Sequence, residues 1–261
     1  MNNQRTLILT PMAKELEQAG LAIANLKGGM GTYPVSEYVL QSLFLKMTGL
    51  HEQKLKCICW ELATDDYGYR YRRLLSGSLG ECSKYSDKKL VLQDLIAAIK
   101  KIDKKFSVEQ FSVSELDVSR VFTVVDAFYK NTSHVGWLSR DYKDFESFAC
   151  SGSYGGSCLK IMTEDSYFGE CKSCVNKRGC PVPKSIIRNV NLPTLFNSLV
   201  YLHRNRCAHN LLSYHYRNQR LSDLYDQKGI DNNYLIRFAL ILMIDEVVRK
   251  LFEKWASVML Y

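Results

Sequence analysis

Apolar residues recur at helical spacing along much of this chain, and this periodicity limits the folds that it can adopt. The longest such segment starts near Asp231 and runs almost to the C-terminus. Its first half is apolar on nearly every side, which is typical of a central core helix or of a subunit interface. No stretch alternates convincingly at period two over several strands, so the sequence predicts an all-α fold. The repeat of the last segment is formed by Leu235, Phe238, Leu242, Asp245, Val248, Phe252, Trp255 and Met259.

Residues that favour helix N-caps predict further helices upstream. The tract from Tyr67 to Arg73 mixes aromatic and cationic side chains. It is predicted to be a loop whose side chains lie along the surface, and stacking of its aromatic rings on nucleic-acid bases is the alternative. Asp65 and Asp66 are predicted to form a helix-terminal turn rather than a metal pair. The predicted helices run from Thr10 to about Leu26, from Ser36 to about Ala63, from Asp87 to about Ile102, from the Ser114 and Asp117 pair to about Lys130, and onward from Pro193 with Asn191 as its cap.

Residues 132–185 break the helical pattern, because they are rich in glycine and serine and hold five of the nine cysteines. We therefore expect a helical bundle whose first part spans residues 1–131 and whose second part spans 186–261, with 132–185 as an irregular insertion between them. Such a segment cannot bury a core of its own and needs another kind of stabilisation.

The cysteine spacing within this insertion predicts a metal site. Cys171 and Cys174 form a Cys-x-x-Cys pair, Cys180 follows, and Cys158 is the expected fourth ligand with Cys150 as the alternate. Zinc binds four such thiolates tetrahedrally and leaves no open position for a catalytic water, so its role would be structural. An iron-sulfur cluster and free thiols are the alternatives to zinc.

The distribution of charge predicts a polyanionic ligand. The chain has a net charge of +8, and the segment 171–222 contains no Asp or Glu. A cationic zone of this kind attracts phosphate backbones, although a solvated face beside a metal-binding knuckle is the alternative. Of its basic residues, we expect Lys172, Lys177, Arg178, Arg206, Arg217 and Arg220 to contact nucleic acid.

The cellular location is predicted from the N-terminal sequence and from the cysteines. The N-terminus leads into no apolar segment of the kind found in signal peptides. The most apolar run carries Arg237 and is short for a membrane span, and the number of cysteines is odd. We therefore expect a cytoplasmic protein with reduced cysteines that does not cross a membrane.

A candidate catalytic motif lies in the helix predicted after Pro193. It consists of Arg204, Asn205 and, after three further residues, His209. Histidine can move the protons that cleavage through the ribose 2′-hydroxyl requires, and arginine can hold the charge that develops on phosphorus. No metal or other cofactor is needed for this chemistry. Residues five apart on an ideal helix are about 140° apart, so the two side chains meet only if the arginine wraps around, the helix is irregular or two copies share a cleft.

This motif resembles the signature of the HEPN superfamily, in which an arginine and a polar residue are followed by three variable residues and a histidine. The resemblance implies an up-down helical bundle that dimerises with its motifs facing one cleft. It also implies a metal-independent endoribonuclease that leaves a 2′,3′-cyclic phosphate and acts as a toxin or antiphage effector, sometimes with a cognate antitoxin or sensor protein. Arg204 and His209 would be catalytic and Asn205 supporting. A nucleic-acid-binding or nucleotide-binding module without catalysis and a protein-interaction scaffold are the alternatives.

Overall fold

The structure is a computed structural model, and all regular secondary structure in its described part is helical. The all-α prediction is therefore confirmed. The structure describes residues 3–24, 33–132, 141–146, 164, 167, 197–209 and 233–259. The helices are α1 (Asn3–Leu9), α2 (Ala13–Ala24), α3 (Tyr33–Asp65), α4 (Tyr67–Leu75), α5 (Tyr85–Ile102), α6 (Val108–Glu115), α7 (Val118–Thr132), α8 (His203–His209) and α9 (Tyr234–Met259), with a π-helical turn (Asn197–Leu202) directly before α8 and further helical residues at 141–146.

Helix α9 is the centre of the bundle. Every residue from 233 to 245 is buried, and helices α3, α5 and α7 pack against it. Of the two predicted roles for this segment, the core helix is therefore confirmed. Its start is three residues later than predicted, because Asn233 caps it by accepting a hydrogen bond from the Ile236 backbone N–H at 3.1 Å.

The predicted starts of the first two long helices are wrong. Thr10 follows α1 and donates from its hydroxyl to the Thr6 carbonyl at 2.7 Å, so it belongs to the turn between α1 and α2. Ser36 does not cap α3, because α3 begins at Tyr33 and Ser36 lies fully buried within its first turns. The second residue of α3 is Pro34, and proline is tolerated there because the first N–H groups of a helix have no intrahelical partner.

Helix α4 occupies the tract that was predicted to be a loop, so that prediction is wrong. Asp66 caps the helix by accepting a hydrogen bond from the Tyr69 backbone N–H at 2.9 Å, which confirms the predicted helix-terminal turn. Tyr69 and Arg73 are one turn apart and both buried, and the Arg73 guanidinium pairs with Asp94 on α5. These two inward contacts hold a short helix whose other apolar and aromatic side chains face away from the core.

Helices α5 and α7 confirm two predicted segments with adjusted starts. Lys84 is the N-cap of α5, and Asp87 acts at the third helical position by accepting from the Lys84 backbone N–H at 2.9 Å. Asp117 accepts from the Arg120 backbone N–H at 3.0 Å at the start of α7. Ser114 lies within α6, a short helix that was not predicted.

A buried ion pair joins α3 to α9. The Lys54 ammonium on α3 lies 2.5 Å from the Asp245 carboxylate on α9, and the two side chains are 2% and 4% exposed. Asp245 also accepts from the Met12 backbone N–H at 2.9 Å, and Lys54 donates to the Thr10 carbonyl at 2.5 Å. The α1–α2 turn is thereby held against the central helix.

Candidate functional site

The Arg-Asn-x3-His motif lies on α8, directly after the π-helical turn. Such turns are rare and occur often at functional sites. Arg237 on α9 stabilises the turn, because its Nε donates to the Leu199 carbonyl at 3.1 Å. The α-helical geometry of 203–209 keeps the backbone positions of Arg204 and His209 about 140° apart, so the irregular turn does not bring them together.

Arg204 is held by a carboxylate on the long helix α3. Its Nη2 lies 3.0 Å from Glu52 Oε2, and the two side chains are 29% and 14% exposed. Lys56, one turn further along α3, contacts the other oxygen of Glu52 at 2.9 Å. The Glu52 carboxylate thus fixes one edge of the guanidinium, and the other N–H groups of Arg204 donate no hydrogen bond to the described residues.

A small cavity adjoins Arg204. Its volume is about 10 Å³, enough for about one water molecule. The ring of His51 is buried beside it, and among the described residues its Nε2 has no hydrogen-bond partner. Lys88 on α5 is also buried, and its ammonium donates to the carbonyls of Cys82 and Ser83. The lining is Thr48, His51, Lys88, Val200, Tyr201, Arg204 and Ile241.

Burial dominates the electrostatics of this cavity. The pKa of Lys88 is lowered to about 8, mainly by burial. The positive charge of Arg204 also lowers this pKa, whereas Glu52 and Cys82 raise it. Burial also lowers the pKa of His51 well below its usual value, and the positive charges of Lys88 and Lys54 add to this effect. His51 is therefore neutral near pH 7 and can accept a hydrogen bond, whereas its surroundings disfavour the protonated form.

His203, which precedes the motif, and Cys207, which lies within it, are packed into the protein. The His203 ring stacks edge-on against Phe44, with centroids 5.0 Å apart, and its Nε2 lies 3.3 Å from the Tyr234 hydroxyl. The Cys207 Sγ lies 3.3 Å from the same His203 Nε2. The thiol is 5% exposed, so this pair offers no open face to a substrate.

Among the remaining motif residues, Asn205 is exposed on α8, at the position one turn before His209. The backbone of Arg206 and His209 belongs to α8, but their side chains lie outside the described residues. The structure therefore gives the environment of Arg204 and Asn205, while the meeting of Arg204 with His209 stays a prediction.

The predicted metal site and most of the predicted basic contacts also lie outside the described residues. Glu164 and Tyr167, from the predicted insertion, are described, and both contact α5: Glu164 pairs with Lys100, and the Tyr167 hydroxyl donates to the Lys88 carbonyl at 2.8 Å. Outside the described ranges fall Cys150, Cys158, Cys171, Cys174, Cys180, Lys172, Lys177, Arg178, Arg217 and Arg220.

His51, Glu52 and Lys88 were not predicted from the sequence to lie at this site. A signal for Glu52 exists, because Glu52 and Lys56 form a charged pair one turn apart in a helix that is otherwise largely buried. Nothing comparable marks Lys88, whose neighbourhood reads as an ordinary helix start.

Comparison with protein-family models, with curated proteins and with solved structures gives no match for this chain. Within the described residues, no helix has both the length and the apolar character needed to cross a bilayer.

Proposed function

We propose that this chain is a metal-independent endoribonuclease. Arg204 and His209 act on the scissile phosphodiester, so that the ribose 2′-hydroxyl attacks phosphorus, the 5′-oxygen leaves and a 2′,3′-cyclic phosphate remains. The imidazole transfers the protons, the guanidinium holds the phosphorane charge, and Asn205 supports the imidazole or the phosphate. The protein acts in the cytoplasm as a toxin or antiphage effector, restrained by an antitoxin or sensor partner.

The observation that carries the proposal is the environment of Arg204. An arginine kept only for packing would lie with its stem and head against apolar side chains, whereas this one is partly exposed and has one edge fixed by Glu52. The other edge donates to none of the described residues and can form the paired hydrogen bonds that a phosphate accepts. Lys88 and the neutral His51 add a positive charge and a hydrogen-bond acceptor at the adjoining cavity.

The 140° separation on α8 favours a site built from two chains. An α-helix of seven residues cannot turn both motif side chains to one point unless the arginine wraps around it. A homodimer with two-fold symmetry would place the arginine of one protomer opposite the histidine of its partner. We therefore include a homodimer in the proposal.

The test is cleavage of single-stranded RNA by the purified full-length chain in EDTA, with analysis of the new ends. We expect 2′,3′-cyclic phosphate ends from the wild type, and a loss of 10²- to 10⁴-fold, in order of magnitude, with His209→Ala or Arg204→Ala. Arg120→Ala is the matched control, because Arg120 is an exposed arginine on α7. RNA binding without any cleavage would contradict the proposal and favour a binding module.

A mixture of the two inactive variants tests the dimer. If each cleft takes its arginine from one protomer and its histidine from the other, each mixed dimer contains one intact cleft, and an equal mixture regains about a quarter of the wild-type activity. If activity stays absent although the chains exchange, each protomer carries a complete site.

A further inference from the structure

Helix α4 turns its aromatic and apolar side chains outward. Tyr69 and Arg73 face the core, and the opposite side of the helix carries Tyr67, Tyr71, Leu74 and Leu75, which are 78%, 55%, 55% and 72% exposed. A surface helix normally turns such residues inward. We call these four residues the outer face of α4.

Two arginines border the outer face. At 100° per residue, Arg70 and Arg72 lie on either side of Tyr71, and both are exposed. Neither forms an ion pair with a described residue, in contrast to the inward Arg73 and its partner Asp94. Helix α4 itself contains no acidic residue.

This combination suits a single-stranded nucleic acid. Tyr67 and Tyr71 are one turn apart, with about 6 Å between their β-carbons, and each ring can stack on a base. The two arginines can then contact the phosphates on either side. In a protein interface, burying two unpaired guanidinium groups would carry a desolvation penalty, whereas a phosphate backbone neutralises them.

We propose that the outer face of α4 binds single-stranded RNA, with Tyr67 and Tyr71 stacking on bases and Arg70 and Arg72 contacting phosphates. The identity of the ligand as RNA rests on the proposed function. On the inward side of α4, Arg73 pairs with Asp94, which lies about 9 Å along α5 from Lys88 at the Arg204 cavity.

The test measures equilibrium binding of a fluorescent single-stranded RNA of roughly 12 nucleotides, a length within the range of single-strand sites, by anisotropy in EDTA. His209→Ala serves as the parent, so that cleavage does not consume the probe. Adding Tyr67→Ser and Tyr71→Ser together should raise Kd by about tenfold or more. Tyr38→Ser is the matched control, because Tyr38 is a 65% exposed tyrosine on α3, and it should leave Kd unchanged.

The arginines are tested through the salt dependence of binding. Each phosphate contact on a single strand contributes about 0.7 to the slope of log K against log salt. Arg70→Gln with Arg72→Gln should therefore make the slope less steep by about 1.4. Circular dichroism of every variant checks that the helical content equals that of the parent.

Three results would overturn the inference: an unchanged Kd for the tyrosine variant, no RNA binding by the parent, or a change of oligomeric state caused by the tyrosine substitutions. The last result would identify the outer face as a protein interface. A wild-type chain that binds RNA through this face but does not cut it would contradict the ribonuclease proposal alone.

Discussion

The buried pair of Lys54 and Asp245 leads to a quantitative prediction of stability. Their charged atoms are 2.5 Å apart, and neither side chain is more than 4% exposed. Lys54→Met keeps the length of the side chain but leaves the Asp245 carboxyl without its cation. Burial already raises the pKa of Asp245, and Lys54 is the main opposing influence, so its removal raises that pKa further. We expect the free energy of unfolding to fall by about 3–5 kcal/mol, a large part of the roughly 5–15 kcal/mol that stabilises a typical domain.

The measurement is urea unfolding at about 25 °C. The loss of helix is followed by circular dichroism at about 222 nm, where the signal of a helix is large. Asp245→Asn should cost about 2–4 kcal/mol, because Lys54 keeps the Thr10 carbonyl as an acceptor. The double variant should lose less than the sum of the two by about 2 kcal/mol or more, since the second substitution removes a charge already left unpaired. Lys101→Met is the control, because its pair with Asp66 is exposed and should contribute less than about 1 kcal/mol.

Two outcomes would refute this reasoning. If Lys54→Met costs no more than Lys101→Met, burial has not made the pair more important than a surface pair. If the losses of Lys54→Met and Asp245→Asn simply add, the two charges do not stabilise each other across α3 and α9.

Three further predictions concern the site and the insertion. Glu52→Gln should lower kcat for RNA cleavage by about tenfold or more with a smaller change in KM, because Arg204 loses its charged partner. Glu52→Asp should restore part of the rate, and Glu15→Gln should leave the rate unchanged, because Glu15 forms a partly exposed pair with Lys46 between α2 and α3. Folding lowers the pKa of Lys88 from 10.5 to about 8. Between these two pH values the unfolded chain therefore binds more protons than the folded chain, and the contribution of Lys88 to the free energy of unfolding rises with pH. From pH 8 to 10 the gain should be on the order of 2 kcal/mol relative to Lys88→Met, and equal pH profiles of unfolding would contradict it. Elemental analysis of the purified chain should find about one zinc per chain, lost in Cys174→Ser; a full complement of free thiols in the wild type would argue against the metal site.

The sequence predicted helices best where a local signal extends over several turns. The apolar repeat from Leu235 to Met259 and the carboxylates Asp87 and Asp117 located α9, α5 and α7 to within a few residues. Helix α4 was not predicted, because its inward residues are an aromatic and a cation whose partner, Asp94, lies on another helix.

The candidate site was predictable only as far as the motif reaches. Arg204 and Asn205 stand on a helix as expected, because the motif is local. Glu52 lies 152 residues from Arg204 in sequence, so no helical period could relate the two. Lys88 and His51 join the same cavity through tertiary packing of α3 and α5, which residue spacing does not encode.

The central position of α9 determines when during synthesis the protein can fold. The ribosome makes this helix after all the other described ones, yet Asp245 must reach Met12, which was made 233 residues earlier. Until then the sides of α3, α5 and α7 that pack on α9 are uncovered, and nascent chains are expected to depend on chaperones. The turn before α8 also lacks its support from Arg237 during this period. Translation that stops before α9 therefore yields a fragment in which the turn before Arg204 lacks its support, so truncated chains should not show the activity proposed above.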